Sequence, residues 1–358
     1  MRLVSVVTLA LVCGTGAAFA QSMQTTGGQR GAIESEAPKS TNAFATAKQA
    51  VPPSGNGPLP GKMRSGPATP ANIFGTRSVT RDGTVSTLDA PPAIWQRLKS
   101  KSLTLGADGT TTATDLKPVD NAKPKNGDRE SIAASSGSTS DGQRQVIGRD
   151  ERKRVTDTTR YPFRIIGQIA TGCTGTLVGP RHVLTAAHCV YSTDEDRWLQ
   201  DLQFSPGLNG NYAPYGTVNW TRAFAPRGYT DQHLDQYDIA MIILDRDIGN
   251  QLGYMGVRWE EPFGNYILNI SGYPGDMGGL TNWMSSCPVD AFSSWELRYR
   301  CDTAGGMSGS STYFYKKQGN KEERAILAVH VRGSDNANFA TRINKEKYDI
   351  VVGWLRQR

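Results

Sequence analysis

The chain has 358 residues, 37% hydrophobic and 20% charged, with a formal net charge of +7. Six of those seven positive charges fall in residues 1–144, so the remainder offers no basic surface for nucleic acid. No apolar run reaches the roughly 20 residues that a spanning helix needs, so no membrane span is expected.

Residues 1–20, "MRLVSVVTLALVCGTGAAFA", carry Arg2, an apolar run and an Ala-Phe-Ala end. That pattern predicts a secretory signal ending at Ala20 and a secreted protein, extracellular or periplasmic. Residues 21–144 are rich in Ser, Thr, Gly, Pro and Ala, with linker-like strings such as "PPSGNGPLPG" and "SSGSTSDGQ". Such a segment buries too little apolar surface to offset chain entropy, and a largely disordered prosegment is expected. Within it, "PPAIWQRLKSKSLTL" (Pro91–Leu105) has one helical face, read as a transient helix with docking as the alternative. A matrix-binding module has no repeats or aromatic clusters here to rest on.

From residue 145 the texture changes. Short Ile- and Val-rich runs ("FRIIGQIA", "TGTLVG", "HVLTAA", "DIAMIIL", "YILNISG", "AILAVHV") alternate with turn residues, which predicts an all-β sandwich or barrel. Only the end reads as helix, with Ile343, Ile350, Val351, Trp354 and Leu355 on one face. "STDEDR" (Ser192–Arg197) could bind calcium but reads better as a charged surface turn.

Of five cysteines, Cys13 belongs to the signal, leaving Cys173, Cys189, Cys287 and Cys301. An even number in an exported chain predicts disulfides, and three pairings are open. The two local ones would close loops of about 15 residues, worth roughly 3 kcal/mol each in the chain-entropy account. No Cys-x-x-Cys spacing supports zinc, and no metal or cofactor is expected.

"CDTAGGMSGS" (Cys301–Ser310) forms a glycine-rich turn that could present Ser308 as a nucleophile. A nucleophilic serine needs a base and an acid to orient it. Of the four histidines, His182 follows a Pro-Arg turn and His233 lies in a polar loop, so both are expected at the surface. His188 stands in "VLTAAHCV", on a loop that a bond from Cys189 to Cys173 would pin. Asp238 leads directly into an apolar strand, whereas Asp231 and Asp235 read as solvated loop carboxylates.

With "TAAHC", "YDIAMI" and "GGMSGS" in the order His188, Asp238, Ser308, residues 145–358 resemble the chymotrypsin-like serine peptidases. The resemblance implies two antiparallel six-stranded β-barrels with a carboxy-terminal helix and the active site between them. It also implies an oxyanion hole from the N–H groups of Gly306 and Ser308, peptide or protein substrates, and a monomer. The domain boundaries expected are a signal at 1–20, a prosegment at 21–144 and a peptidase domain at 145–358. A catalytically inactive pseudoprotease is the rival from another class.

Asp302 stands six residues before Ser308, where trypsin-like enzymes place the carboxylate that binds Lys or Arg. The rest of the pattern departs from them. Met307 replaces their activation aspartate, Ala304 replaces a cysteine, and "AVHVRGS" puts His330 on the pocket strand. The pocket would then be stapled by Cys287–Cys301. These departures resemble the bacterial glutamyl endopeptidase branch, in which residues at the places of Thr303 and His330 bind a substrate carboxylate. "VIGRDERKRVTDTTRYPFR" resembles that branch's mature start, where the free α-amino group approaches the pocket. Cleavage after Glu or Asp is therefore expected, with Lys/Arg cleavage through Asp302 as the alternative. Release near Arg144 would leave Gln145 or Val146 as the new terminus, with a cut after Arg154 competing.

Overall fold

The computed structural model describes residues 69–100, 117–118, 127–131, 134–135, 144–261 and 263–358. The expected signal at 1–20 and most of the low-complexity segment lie outside these residues.

The elements come in chain order. Residues 69–100 form α1 (Pro70–Phe74), β1 (Thr76–Thr80), β2 (Val85–Leu88) and α2 (Pro92–Lys99). Two short strands follow, β3 (Arg144–Gln145) and β4 (Lys153–Val155). Next are β5 (Ile166–Ile169), β6 (Thr174–Leu177), β7 (His182–Thr185), β8 (Phe204–Pro206), β9 (Trp220–Pro226) and β10 (Ala240–Leu244). These six make an antiparallel sheet in the order β8-β5-β6-β7-β10-β9. It rolls up through one bridge, in which Phe204 and Val218 exchange hydrogen bonds of 2.9 and 2.8 Å. Every residue of β10 is buried, because both faces of this apolar strand are covered.

The second half contributes β11 (Ile267–Gly272), β12 (Trp283–Phe292), β13 (Glu296–Tyr299), β14 (Thr303–Ala304), β15 (Ser311–Gln318), β16 (Lys321–Gly333) and β17 (Asn338–Arg342). Here the order β11-β15-β16-β17-β13-β12 closes on itself through β11–β12, giving a complete six-stranded barrel. β4 adds to its β12 edge, and β3 pairs separately with β14. The chain ends in α3 (Lys345–Trp354), whose first turn is capped by the Asn344 side chain accepting from the Lys347 N–H at 3.1 Å. Ile350, Val351 and Trp354 face inward as their spacing predicts, and Trp354 stacks on Phe224 of β9.

Residues 69–100 depart from the expectation of a disordered prosegment. β1 pairs antiparallel along β9 from Thr76↔Pro226 to Thr80↔Arg222, so β1 and β2 extend the first sheet. Ile73, Phe74 and Ile94 are completely buried in the first barrel's core cluster. Each such side chain contributes about 1.5–3 kcal/mol of transfer free energy, before the cost of ordering the segment. α2, read as transient, is docked, and Arg97 pairs with Glu346 of α3 at 2.8 Å. The segment has too few apolar residues for a core of its own. It needs none, because it completes the open edge of β9.

A second contact reaches the other barrel. The Glu130 carboxylate grips the Arg324 guanidinium through two bonds of 2.7 Å, and the Glu130 N–H donates to Asn269 at 2.8 Å. Beside it, Asp128 accepts from the Lys317 N–H at 2.9 Å.

Candidate active site

His188 lies in a helical turn (Ala187–Cys189) that follows β7, and Asp238 lies between the turn Asp235–Tyr237 and β10. Because β7 and β10 are paired neighbours, the two side chains meet at one end of the first barrel. One Asp238 oxygen accepts from the His188 backbone N–H at 3.0 Å, and the other lies 2.7 Å from its Nδ1. The carboxylate thus fixes both the loop and the imidazole. Burial works against the charged imidazole, but the charge and hydrogen bond of Asp238 outweigh it and raise the His188 pKa. The Cys173–Cys189 disulfide braces this turn, and Cys287–Cys301 joins β12 to the start of the serine loop. Of the three open pairings, the two local ones form. Cys173, His188 and Cys189 are close enough to hold a metal, but both sulfurs are committed to the disulfide.

The serine loop is stitched to the first barrel through Thr174 of β6. The Thr174 N–H donates to the Ser308 carbonyl at 2.8 Å, and its hydroxyl donates to the Gly306 carbonyl at 2.9 Å. Gly306 has φ +94°, and a side chain there would come within 2.5 Å of the Tyr273 carbonyl. Gly309 has φ +84°, and a side chain there would meet Thr185 Oγ1 at 2.1 Å. Only glycine fits either place. Among the described residues, no hydrogen bond takes up the N–H of Gly306 or of Ser308. Thr185 and Ala186 lead straight into the His188 turn, so this packing brings the half-buried Ser308 to the histidine's end of the barrel.

Around the residues expected to set specificity, β3 runs antiparallel to β14, Gln145 opposite Thr303. The Thr303 hydroxyl lies 3.0 Å from the Gln145 carboxamide oxygen and 2.9 Å from Asn338 Oδ1. Asn338 also donates to the carbonyls of Gln145 and Cys301, at 3.0 and 2.8 Å. His330 is buried on β16 with Nδ1 2.7 Å from the Tyr299 hydroxyl. Burial, reinforced by the charge of His188, pushes its pKa down to about 3, so the ring is neutral. Both Asp302 oxygens are occupied: one accepts from the Ile147 N–H at 2.9 Å, the other from the Glu151 N–H at 2.7 Å.

Several sequence expectations fare differently. His182 is buried in β7, with Nε2 3.1 Å from the Gln357 carbonyl, because the turn ends at Arg181 and the strand begins one residue later. His233 is half-buried, at a positive φ of 53°. Asp231 is also buried, held by Arg77 at 2.8 Å and Arg227 at 2.7 Å. Gln145 and Asn338 carry no motif that would single them out; only the pairing of β3 with β14 reveals them.

The sequence pattern of the Trypsin family matches residues 150–264. The glutamyl endopeptidase of Bacillus licheniformis is 39% identical over 219 residues, covering 59% of this chain and 69% of that protein. An extracellular metalloprotease of Bacillus subtilis is 33% identical over 224 residues, covering 59% of this chain and 70% of that protein. Among solved structures, a Glu endopeptidase in complex with MPD superposes with a TM-score of 0.54 at 32% identity. That match covers 59% of this chain and all of the other.

Proposed function

This chain belongs to the trypsin family of chymotrypsin-like serine peptidases, and on that premise we propose that it is a secreted endopeptidase cleaving after glutamate or aspartate. Ser308 attacks the scissile carbonyl while His188 Nε2 takes its proton and later returns it to the leaving amine. Asp238 holds the tautomer that keeps Nε2 free to act and stabilises the imidazolium that forms. Losing that function costs on the order of 10⁴ in rate in the family's reference enzyme. The N–H groups of Gly306 and Ser308 receive the developing oxyanion, each worth about 10²–10³ in rate.

The observation that carries the acidic specificity is the Gln145 carboxamide, which has the length of a glutamate side chain and already rests on Thr303. A methyl placed on Gly333 would come within 2.5 Å of that carboxamide, so the space lies against Thr303, Gly333 and Asn338. Asp302 is unsuited to binding lysine or arginine, since two backbone N–H groups already claim its oxygens. Cleavage before Gln145 would put the new amino group on a residue whose backbone Asn338 already holds, adding positive charge beside the pocket. The competing cut after Arg154 lies within β4, which is paired with β12. Two residues before it, Arg152 is buried between Asp150 and Asp276.

The test is cleavage of a peptide library by the processed protein, with Ser308→Ala as control. Hydrolysis after Glu or Asp, absent in the control and weakened by His330→Ala, is the expected result. Cleavage after Lys or Arg that Asp302→Ala abolishes would overturn the specificity. Failure to cleave, together with no labelling of Ser308 by an active-site serine reagent, would make the chain a pseudoprotease.

A further inference from the structure

We infer that the amino-terminal fragment, once cut from Gln145, stays bound as a second, non-covalent chain anchored on both barrels. The inference rests on processing before Gln145; the docking surface itself does not. The first anchor is residues 69–100. It adds β1 to the edge of β9, buries Ile73, Phe74 and Ile94, and gives Arg77 to Asp231 and Arg97 to Glu346. The Trp354 indole N–H donates to Thr76 Oγ1 at 3.0 Å, and the Arg227 N–H donates to the Gly75 carbonyl at 2.8 Å.

The second anchor is Glu130, whose carboxylate neutralises the buried guanidinium of Arg324. Removing this partner would take both 2.7 Å bonds from a buried guanidinium and leave it only Glu322, at 3.1 Å, a costly state. Removing the first anchor would open the β9 edge, uncover Tyr237, against which Phe74 packs, and take the acceptor from the Trp354 indole. Residues 101–126 join the anchors, so release of one leaves the other to hold the fragment near its site. Linked sites of this kind bind far more tightly together than separately. None of these contacts uses the peptide bond between Arg144 and Gln145.

The docked fragment also reaches the active site. Phe74 packs edge-on against Tyr237, ring centres 6.2 Å apart, and Tyr237 directly precedes Asp238. The fragment therefore supports the wall behind the carboxylate that orients His188.

The test uses the full chain carrying Ser308→Ala, with residues 136–142 replaced by the recognition sequence of a site-specific viral protease. After cutting, gel filtration at micromolar concentration and intact-mass spectrometry show which pieces travel together. Co-elution of both fragments is expected. In the Phe74→Ala, Glu130→Gln double variant the fragment should elute separately, its dissociation constant raised about a hundredfold or more. That variant is folded and purified uncut, so the covalent link holds the fragment in place until the cut. Separation of the unsubstituted fragments without denaturant would overturn the inference, as would co-elution unchanged in the double variant. The natural cut is read separately, by amino-terminal sequencing of the active enzyme. A terminus elsewhere would remove the processing step, and the gel-filtration result would still decide the docking.

Discussion

Lys347→Met should stabilise the protein at mildly acidic pH and lose that advantage in alkali. Lys347 lies in the first turn of α3 with its side chain fully buried, and among the described residues its ammonium has no hydrogen-bond acceptor. It rests over the rings of Trp295 and Tyr237, 4.4 and 5.7 Å from their centres. Burial pushes its pKa from 10.5 down to about 7, against the pull of Glu346 and Glu296 and with the repulsion of Arg342. That displacement corresponds to roughly 5 kcal/mol. A desolvated cation–π contact returns about 2 kcal/mol, so burial wins.

The sign follows from proton binding. Between pH 7 and 10.5 the unfolded chain holds this proton and the folded one does not, so stability rises with pH across that window. Below pH 7 the fold bears the whole cost of the buried charge. Methionine fills similar space without the charge. The melting temperature of Lys347→Met, relative to its parent, should therefore be about 10 °C more favourable at pH 6.5 than at pH 9.5. Circular-dichroism melts of both proteins in a Ser308→Ala background, which prevents self-digestion, measure this difference. An equal loss at both pH values would refute the reasoning and show the aromatic faces stabilising a permanent cation.

Two further outcomes follow from the pocket. Asp302→Asn should lose about 1–3 kcal/mol in a denaturant titration, because one of two backbone N–H groups loses its acceptor. It should leave the preferred cleavage residue unchanged; a switch in preference would return Asp302 to the substrate. Asn338→Ala removes one of the two acceptors at the Thr303 hydroxyl and the donor to the Gln145 carbonyl, and should raise KM for glutamyl peptides about tenfold with a smaller change in kcat. Equal KM for parent and variant would exclude Asn338 from specificity.

The contact between His188 and Asp238 was legible in the sequence because both residues sit on short motifs beside apolar strands, where periodicity and residue type agree. The paired strands β7 and β10 turn that linear pattern into one end of a barrel. The two local disulfides were among the pairings their spacing allowed. Of residues 69–100 only the helical face after Pro91 was legible, with docking as its alternative reading, since Ile73, Phe74 and Ile94 are too few and too scattered to signal a core. They matter because β9 offers an edge and α3 a face, which composition cannot show. Asp231 misled for the same reason: its partner Arg77 lies more than a hundred residues upstream. The role of Asp302 also stayed hidden, because a carboxylate with the trypsin-like spacing can face either the pocket or the chain's own loop. Here it faces the loop.

On the proposed function, the seam between the serine loop and the first barrel governs when the site can form. Ser308 and Gly306 borrow hydrogen bonds from Thr174, and Gly309 nests against Thr185, so the setting of the proposed nucleophile is made of parts from both halves of the chain. Neither half alone holds that setting. On the proposed function, a chain still being made carries only separate pieces of the site until the two barrels close on each other. On that reading, assembly itself is a safety catch, ahead of the proposed cleavage.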